Sequence, residues 1–349
     1  MCHNGCCEEV MGMKKDVYIY QSGTLKRENN TLVLITKNDE KKIYLPIEQI
    51  DHIHVFGEVN INKRLLQFLN LEGIIMLYYS HYGKYEGSFI PDTAKSGKII
   101  VEQVTALTDT VKRNHIVKIF EIAQLNNELA LMKYYRKEGY LLDDCIRRIE
   151  VLKDGIDKLD VNNSNFLINT MLKEGLAKQV YYHGFDIILE KTDFEFVSRS
   201  TRPPRNELNA MMSYGYTLLY GDFLCAIIRS KLIPEISYIH STSKNKTSLQ
   251  FDMADMFKSV FVDRLILRLI RRKQITVDDF DRFKTGAVYL NDKGKKIYIE
   301  EYNKLLSKTV YDTRSKRNYS YAQIIKREIY LFIDYLLSDK AYKPYVMGW

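Results

Sequence analysis

The apolar residues of this 349-residue chain change period once, across residues 91–98, and that change bounds what the chain can fold into. Before it, residues 17–20, 31–36, 43–46 and 50–56 form short apolar or alternating runs, broken by Gln21-Ser22-Gly23 and by residues 37–40. Such runs predict strands joined by tight turns, with a short helix over 61–70 carrying Leu65, Leu66 and Leu69 and a return to strand over 74–79. Residues 91–98, with Pro91, Asp92, Ser96 and Gly97, read as a linker. Beyond it the apolar spacing becomes helical over 111–135, 141–152, 164–185 and 321–337, with almost no strand signal up to about residue 270. The expectation is an α+β multidomain protein with a β domain at 13–90 and an α-helical domain at 99–349. Residues 1–12 read as a disordered leader or an extension ahead of a start at Met13, and their Cys2, His3, Cys6 and Cys7 match no familiar metal spacing.

Charge and composition narrow the partners. Fifty-two Lys and Arg against 44 Asp and Glu give a net charge of +8, which suits a polyanion. No unbroken apolar run of eighteen residues and no signal pattern is present, so a soluble cytoplasmic protein without a membrane partner is expected. Five cysteines do not make a secreted disulfide framework, and Cys145 and Cys225, in apolar helical surroundings, read as reduced core residues. His52 and His54 alternate with Ile53 and Val55 and can share one strand face, as a polar face or a dimer rim.

Chemistry concentrates in the second half. His240 sits in a short polar turn, and Asp252 and Asp255 follow in D-x-x-D spacing inside an apolar helical run, so the two aspartates share roughly one face. Two carboxylates and an imidazole suit Mg²⁺ or Mn²⁺ with positions open to water and phosphate, and that favours phosphodiester chemistry. The same pattern is satisfied if His240 caps a turn and the aspartates pair with Lys258 or Arg264. Upstream, Glu174 lies in a helix where it can bind an ion or pair with Lys178. Arg199, Arg202 and Arg205 flank Pro203-Pro204, making a stiff loop that suits a phosphate clamp or a plain solvated surface.

Taken together, E-G-x-A-K-x-x-Y from Glu174, R-x-x-R-P-P-x-N-x-x-N-A-x-x-S-x-G-Y from Arg199, Ile239-His240 and D-x-x-D-x-F from Asp252 resemble the CRISPR-associated adaptation integrases, the universal first CRISPR-associated protein. Type I-B members are the nearest in flavour. The opening K-D-V-Y-I-Y-x-S-G-x-L-K-R strengthens the likeness, which covers residues 13 to about 272. The resemblance implies an N-terminal β-sandwich-like dimerisation domain and an all-α catalytic domain. It implies a metal-dependent DNA endonuclease and integrase that inserts captured foreign DNA into a CRISPR array, acting as a homodimer on double-stranded DNA with a small ferredoxin-like partner protein. Carried residue by residue, the Mg²⁺ or Mn²⁺ ligands and catalytic residues fall on Glu174, His240 and Asp255, with Asp252 as the second carboxylate nearby.

Candidate DNA contacts are Arg199, Arg202, Arg205, Lys244, Lys246, Arg271 and Arg272, with Arg268 and Lys273 beside them. Tyr216 of the S-x-G-Y motif either touches DNA or packs near Met212 and Leu219, and Asn209 reads as a buried hydrogen-bonding residue. His240 would bind an ion as neutral imidazole, so activity should weaken below roughly pH 6.5. A branched-DNA repair nuclease using the same ions, and a catalytically silent DNA-binding scaffold, are the alternative functions.

Overall fold

The computed structural model describes residues 14–92, 94–240, 247–338 and 340–348, and it divides at the 93/94 junction into two compact units. The first is built from β1 (Lys15–Ile19), β2 (Gly23–Glu28), β3 (Thr31–Thr36), β4 (Lys42–Pro46), β5 (Ile50–Val55), β6 (Val59–Asn60), α1 (Lys63–Glu72), β7 (Met76–Tyr79) and β8 (Tyr85–Phe89). These form two four-stranded sheets, ordered β1-β5-β7-β8 and β4-β3-β2-β6. Ile19, Ile53, Val55 and Met76 of the first sheet share one core with Leu25, Leu32 and Leu34 of the second and with Leu65, Phe68 and Leu69 of α1. That shared core gives the sandwich. Helix α1 starts where the Asn62 side chain accepts from the Leu65 amide and stops at Gly73, whose φ of +66° suits a residue without a Cβ. Strands β1, β5 and β7 run parallel, with α1 in the crossover from β5 to β7, and β8 pairs antiparallel to β7, so the sheet is mixed.

The second unit holds α2 (Gly97–Thr108), α3 (Thr110–Lys137), α4 (Asp143–Asp157), α5 (Phe166–Leu189), α6 (Glu207–Arg229), α7 (Leu249–Asp255), α8 (Arg264–Arg271), α9 (Asp292–Ser307) and α10 (Tyr321–Ser338). Two short hairpins, β9 (Phe280–Arg282) with β10 (Val288–Leu290) and β11 (Thr309–Asp312) with β12 (Arg317–Ser320), add the strands that periodicity does not reveal. Helix α2 begins inside the stretch expected to be linker, at Gly97, with Ser96 as its cap.

Helix α6 is long and apolar enough to cross a membrane, but 83% of its most apolar window is buried in this unit, as a core helix requires. Its Gly215 lies against Tyr298 and Val262: a Cβ there would come within 2.0 Å of the Tyr298 hydroxyl and 2.7 Å of Val262 Cγ1. Gly215→Ala should therefore overpack this crossing and cost about 1–3 kcal/mol, read as a lower thermal or denaturant midpoint. Cys145 and Cys225 are buried and reduced, as expected.

A candidate metal centre in the helical unit

The site is assembled around the buried carboxylate of Asp252, on α7. Three successive backbone amides, of Tyr238, Ile239 and His240, donate to it at 2.6, 3.0 and 3.1 Å, and His240 Nδ1 lies 2.7 Å from its Oδ1. Every backbone donor of the turn thus faces one anion, which fixes the turn and the imidazole together. The turn is pinned from behind as well. Gln103 of α2 donates to the carbonyls of Ile233 and Ile236, and Arg113 of α3 donates to that of Tyr238. His240 itself remains 43% exposed in its side chain. Burial lowers its pKa, but the hydrogen bond and charge of Asp252, with the charge of Asp255, raise it above the usual histidine value.

Asp255, one turn after Asp252, is placed differently. Its side chain is 23% exposed and pairs with Lys258 at 2.7 Å, with the Tyr220 hydroxyl at 3.4 Å. The Lys258 pairing allowed by the sequence is therefore formed, whereas Arg264 turns to the Tyr321 hydroxyl instead. Phe251 packs between the rings of Tyr220 and His240, at centroid distances of 4.7 and 5.6 Å.

Glu174 projects from α5 and accepts from Gln124 Nε2 at 3.0 Å. Lys178 bypasses it and binds Glu128 of α3, which holds the lysine protonated against the pull of burial. Glu121, Gln124 and Glu128, spaced three and four apart, form a polar stripe on α3 that spacing alone marks as one face. These are the functional-site residues that motif reading misses. Glu121 is 4% exposed, and its Oε2 has no hydrogen-bond partner among the described residues. Burial, then the charges of Glu174 and Asp255, push its pKa well above the usual carboxylate value.

A carboxyl whose folded pKa is raised adds stability that is full below its unfolded value and is lost as pH rises through the folded one. Glu121→Gln should therefore flatten the decline in melting temperature on going from pH 4.5 into the alkaline range, which thermal scans across pH would show.

Glu174, His240 and Asp255 are near enough to act on shared neighbours: Glu121 feels both Glu174 and Asp255, and His240 feels Asp255. Among the described residues their donor atoms are not gathered to within 4.8 Å of one another.

The other candidate residues separate by exposure. Arg199 is bound inward, to Asn209 Oδ1 at 2.8 Å and to the Ser213 hydroxyl. Asn209 is fully buried, as expected, and also donates to Ser198 O. Tyr216 is packed: its hydroxyl donates to Asp263 at 2.7 Å, beside the Tyr181 hydroxyl at 2.8 Å, so no DNA contact is assigned to it. Arg202 and Arg205 are exposed, the latter donating to Thr285 O. Arg271, over the rings of Tyr135 and Tyr140, and Arg272 are exposed too, whereas Arg268 pairs with Glu301 at 2.8 Å. Lys244 and Lys246 lie outside the described residues.

Residues 17–304 match the family model described as CRISPR associated protein Cas1. A curated relative from Thermodesulfovibrio yellowstonii, named CRISPR-associated endonuclease Cas1 2, is 35% identical over 97% of this chain and 100% of its own length. The solved structure of a CAS1 protein from Thermotoga maritima superposes with a TM-score of 0.82 at 32% identity, over 94% of this chain and 98% of that one. A casposase bound to integration product has the same fold, with a TM-score of 0.81 at 19% identity, over 96% of this chain and 94% of that one.

Proposed function

This chain belongs to the Cas1 family, and from that premise we propose that it is a divalent-metal-dependent DNA endonuclease and integrase of CRISPR adaptation. One observation carries the assignment of roles within the site. Asp252 is fully enclosed by three amides and an imidazole, while His240 and Asp255 keep exposed edges. Asp252 is thus the holder, and Glu174, His240 and Asp255 are the ligands.

These residues fit a hard-to-intermediate divalent ion. Two carboxylates and an imidazole have the donor chemistry of Mg²⁺ or Mn²⁺, and a cation there would ease the ionisation of the buried Glu121 carboxyl, which burial and the charges of Glu174 and Asp255 hold towards its neutral form. When bound, the ion would supply positive charge against that building on the transferred phosphate and the leaving oxygen.

The protein's own groups prepare this arrangement. Asp252, as a carboxylate, accepts a hydrogen bond from His240 Nδ1–H, which leaves Nε2 as the basic nitrogen for an ion. Lys258, beside Asp255, stays protonated and is stacked on the rings of Tyr216 and Tyr220 at 4.8 and 5.4 Å, a second cation for the phosphate backbone. Because Asp252 and Asp255 raise the His240 pKa, ion binding should weaken at a higher pH than an ordinary histidine would give.

In integration a terminal 3′-hydroxyl forms a bond to the repeat-strand phosphorus as the bond to the leaving 3′ oxygen breaks. Water in place of that hydroxyl gives cleavage. Arg202, Arg205, Arg271 and Arg272 are the exposed cations that would hold the DNA, and the chain would act as a homodimer with a small ferredoxin-like partner. For each phosphate contact removed, the log–log salt slope of DNA binding should fall by about 0.9, so Arg202→Ala should flatten it by about one unit in a fluorescence-anisotropy series.

The test of the reading is a strand-transfer assay with a short duplex bearing free 3′ ends and a supercoiled plasmid carrying a repeat, in Mn²⁺, Mg²⁺ or EDTA, with and without the partner. Metal-dependent joining supports integration. Metal-dependent cleavage of branched DNA without joining would favour a repair nuclease, and DNA binding with neither activity would favour a scaffold.

A further inference from the structure

We propose that Asn127 of α3 is a positioning residue of the metal centre, holding the end of α7 that carries Asp255 against α3 and against the segment 340–348. The Asn127 side chain is fully buried. Its Nδ2 donates to the carbonyl of Met256 at 2.8 Å and to that of Tyr345 at 3.0 Å, while its Oδ1 accepts from the Met347 amide at 2.8 Å. Both N–H donors and the oxygen of the amide are thus engaged, by backbone groups from two distant parts of the chain. The Met256 carbonyl lies at a break in the helix. Helix α7 stops at Asp255, and the chain passes through Met256 before a π-helical turn at Ser259–Asp263. At such a break the regular ladder of amides and carbonyls shifts, and a donor from outside the helix fixes where its end sits. Asp255 is the residue before Met256, and its ion-pair partner Lys258 is two residues after it. The bond from Asn127 therefore sets the turn that presents both.

The other two bonds anchor Asn127 itself. The Tyr345 carbonyl and the Met347 amide, two residues apart, are groups that an extended segment offers along one edge, and here a side-chain amide takes the place of a neighbouring strand. The segment is fixed in its turn. Glu328 of α10 accepts from the Tyr342 hydroxyl at 3.0 Å and from the Tyr345 amide at 3.3 Å, and Arg314 donates to the Lys343 carbonyl at 2.8 Å. One turn before Asn127 on α3, Gln124 donates to Glu174. A single helix thus steadies two of the three proposed ligands, Glu174 through Gln124 and Asp255 through Asn127. The role assigned to Asn127 rests on the metal-dependent reading of the site, since Asn127 acts through Asp255 and not on an ion or on DNA.

The test measures Mn²⁺ binding by electron paramagnetic resonance, together with kcat and KM of metal-dependent DNA cleavage, on the full-length chain. Asn127→Ala should weaken Mn²⁺ binding at least about 10-fold and lower kcat, with KM for DNA little changed. Because Asn127→Ala can disturb folding, Asn127→Ser gives a milder check: its one hydroxyl can serve only some of the three partners, so its Mn²⁺ affinity should fall between those of Asn127→Ala and the wild type. Tyr302→Phe, which loses the 2.6 Å bond to Asp222 elsewhere in the helical unit, controls for stability alone. It should lower the melting midpoint and leave Mn²⁺ affinity where it was. Unchanged Mn²⁺ affinity in folded Asn127→Ala, or in Asn127→Ser where the alanine variant does not fold, would overturn the proposal. So would an equal loss in Tyr302→Phe. A wild type that binds no Mn²⁺ would instead remove the metal-dependent reading, and the role of Asn127 with it.

Discussion

Asp255→Ala should leave a folded, DNA-binding protein whose metal-dependent cleavage and joining fall by at least about 100-fold, the scale on which loss of one preorganised electrostatic group at a reacting centre is felt. The side chain is part-exposed and makes one ion pair, with Lys258, and one long contact with the Tyr220 hydroxyl. Its removal leaves Lys258, only 15% exposed, without that anion, so the melting midpoint should fall while the fold is kept. Lys258 retains its stacking on Tyr216 and Tyr220, so the local packing survives. DNA affinity should be nearly unchanged or slightly tighter, because the change removes a negative charge near the phosphates. Parallel binding and cleavage assays check this, and retained cleavage by the folded variant would remove Asp255 from the ligand set.

Asp252→Asn should behave in the opposite way, damaging fold and function together. The carboxylate is fully buried and accepts from three amides besides the His240 ring. An amide of the same shape must aim its own donor at one of those donors, leaving buried N–H groups unpaired at about 1–3 kcal/mol each. The turn carrying His240 then loosens, and His240 loses the partner that fixes its tautomer and raises its pKa. The expected outcome is a lower melting midpoint, together with metal affinity reduced by about 10–100-fold, the range for loss of a group supporting a ligand. Thermal unfolding and Mn²⁺ titration of the same preparation would check both. Unchanged stability would show that Asp252 does not hold the turn.

The contrast between these two aspartates marks how far the sequence can be read. D-x-x-D spacing places both on the α7 face but does not say which is enclosed; that depends on the turn at 238–240 folding back onto α7, a long-range event. The strands with clear apolar content, such as Thr31–Thr36 and Ile50–Val55, were legible. Strand β2, Gly23–Glu28, was not, because Leu25 alone carries its buried face, and β8 at Tyr85–Phe89 has no buried residue to set a period. The hairpins after α8 are only three or four residues per strand, below the length at which alternation is informative.

In the helical unit, the Glu174–Lys178 pair that the spacing allows does not form, for a related reason. A local i to i+4 partner, Glu174, was visible, but Glu128 on α3 is a better-buried anion and takes the lysine. That exchange frees Glu174 for Gln124, and it shows why a motif residue can be named from sequence while the stripe supporting it cannot. Tyr216 illustrates the same limit. Only the packed structure reveals that Asp263 receives its hydroxyl together with that of Tyr181.

The central claim is that Glu174, His240 and Asp255 hold one divalent ion, and the most direct measurement is Mn²⁺ binding by calorimetry or electron paramagnetic resonance, on the wild-type chain and on Glu174→Gln, His240→Ala and Asp255→Ala. The predicted result is a site in the wild type that each single substitution weakens severely while the helical signal and a cooperative melting transition are kept. Mn²⁺ affinity and stoichiometry unchanged in all three folded variants would contradict the account.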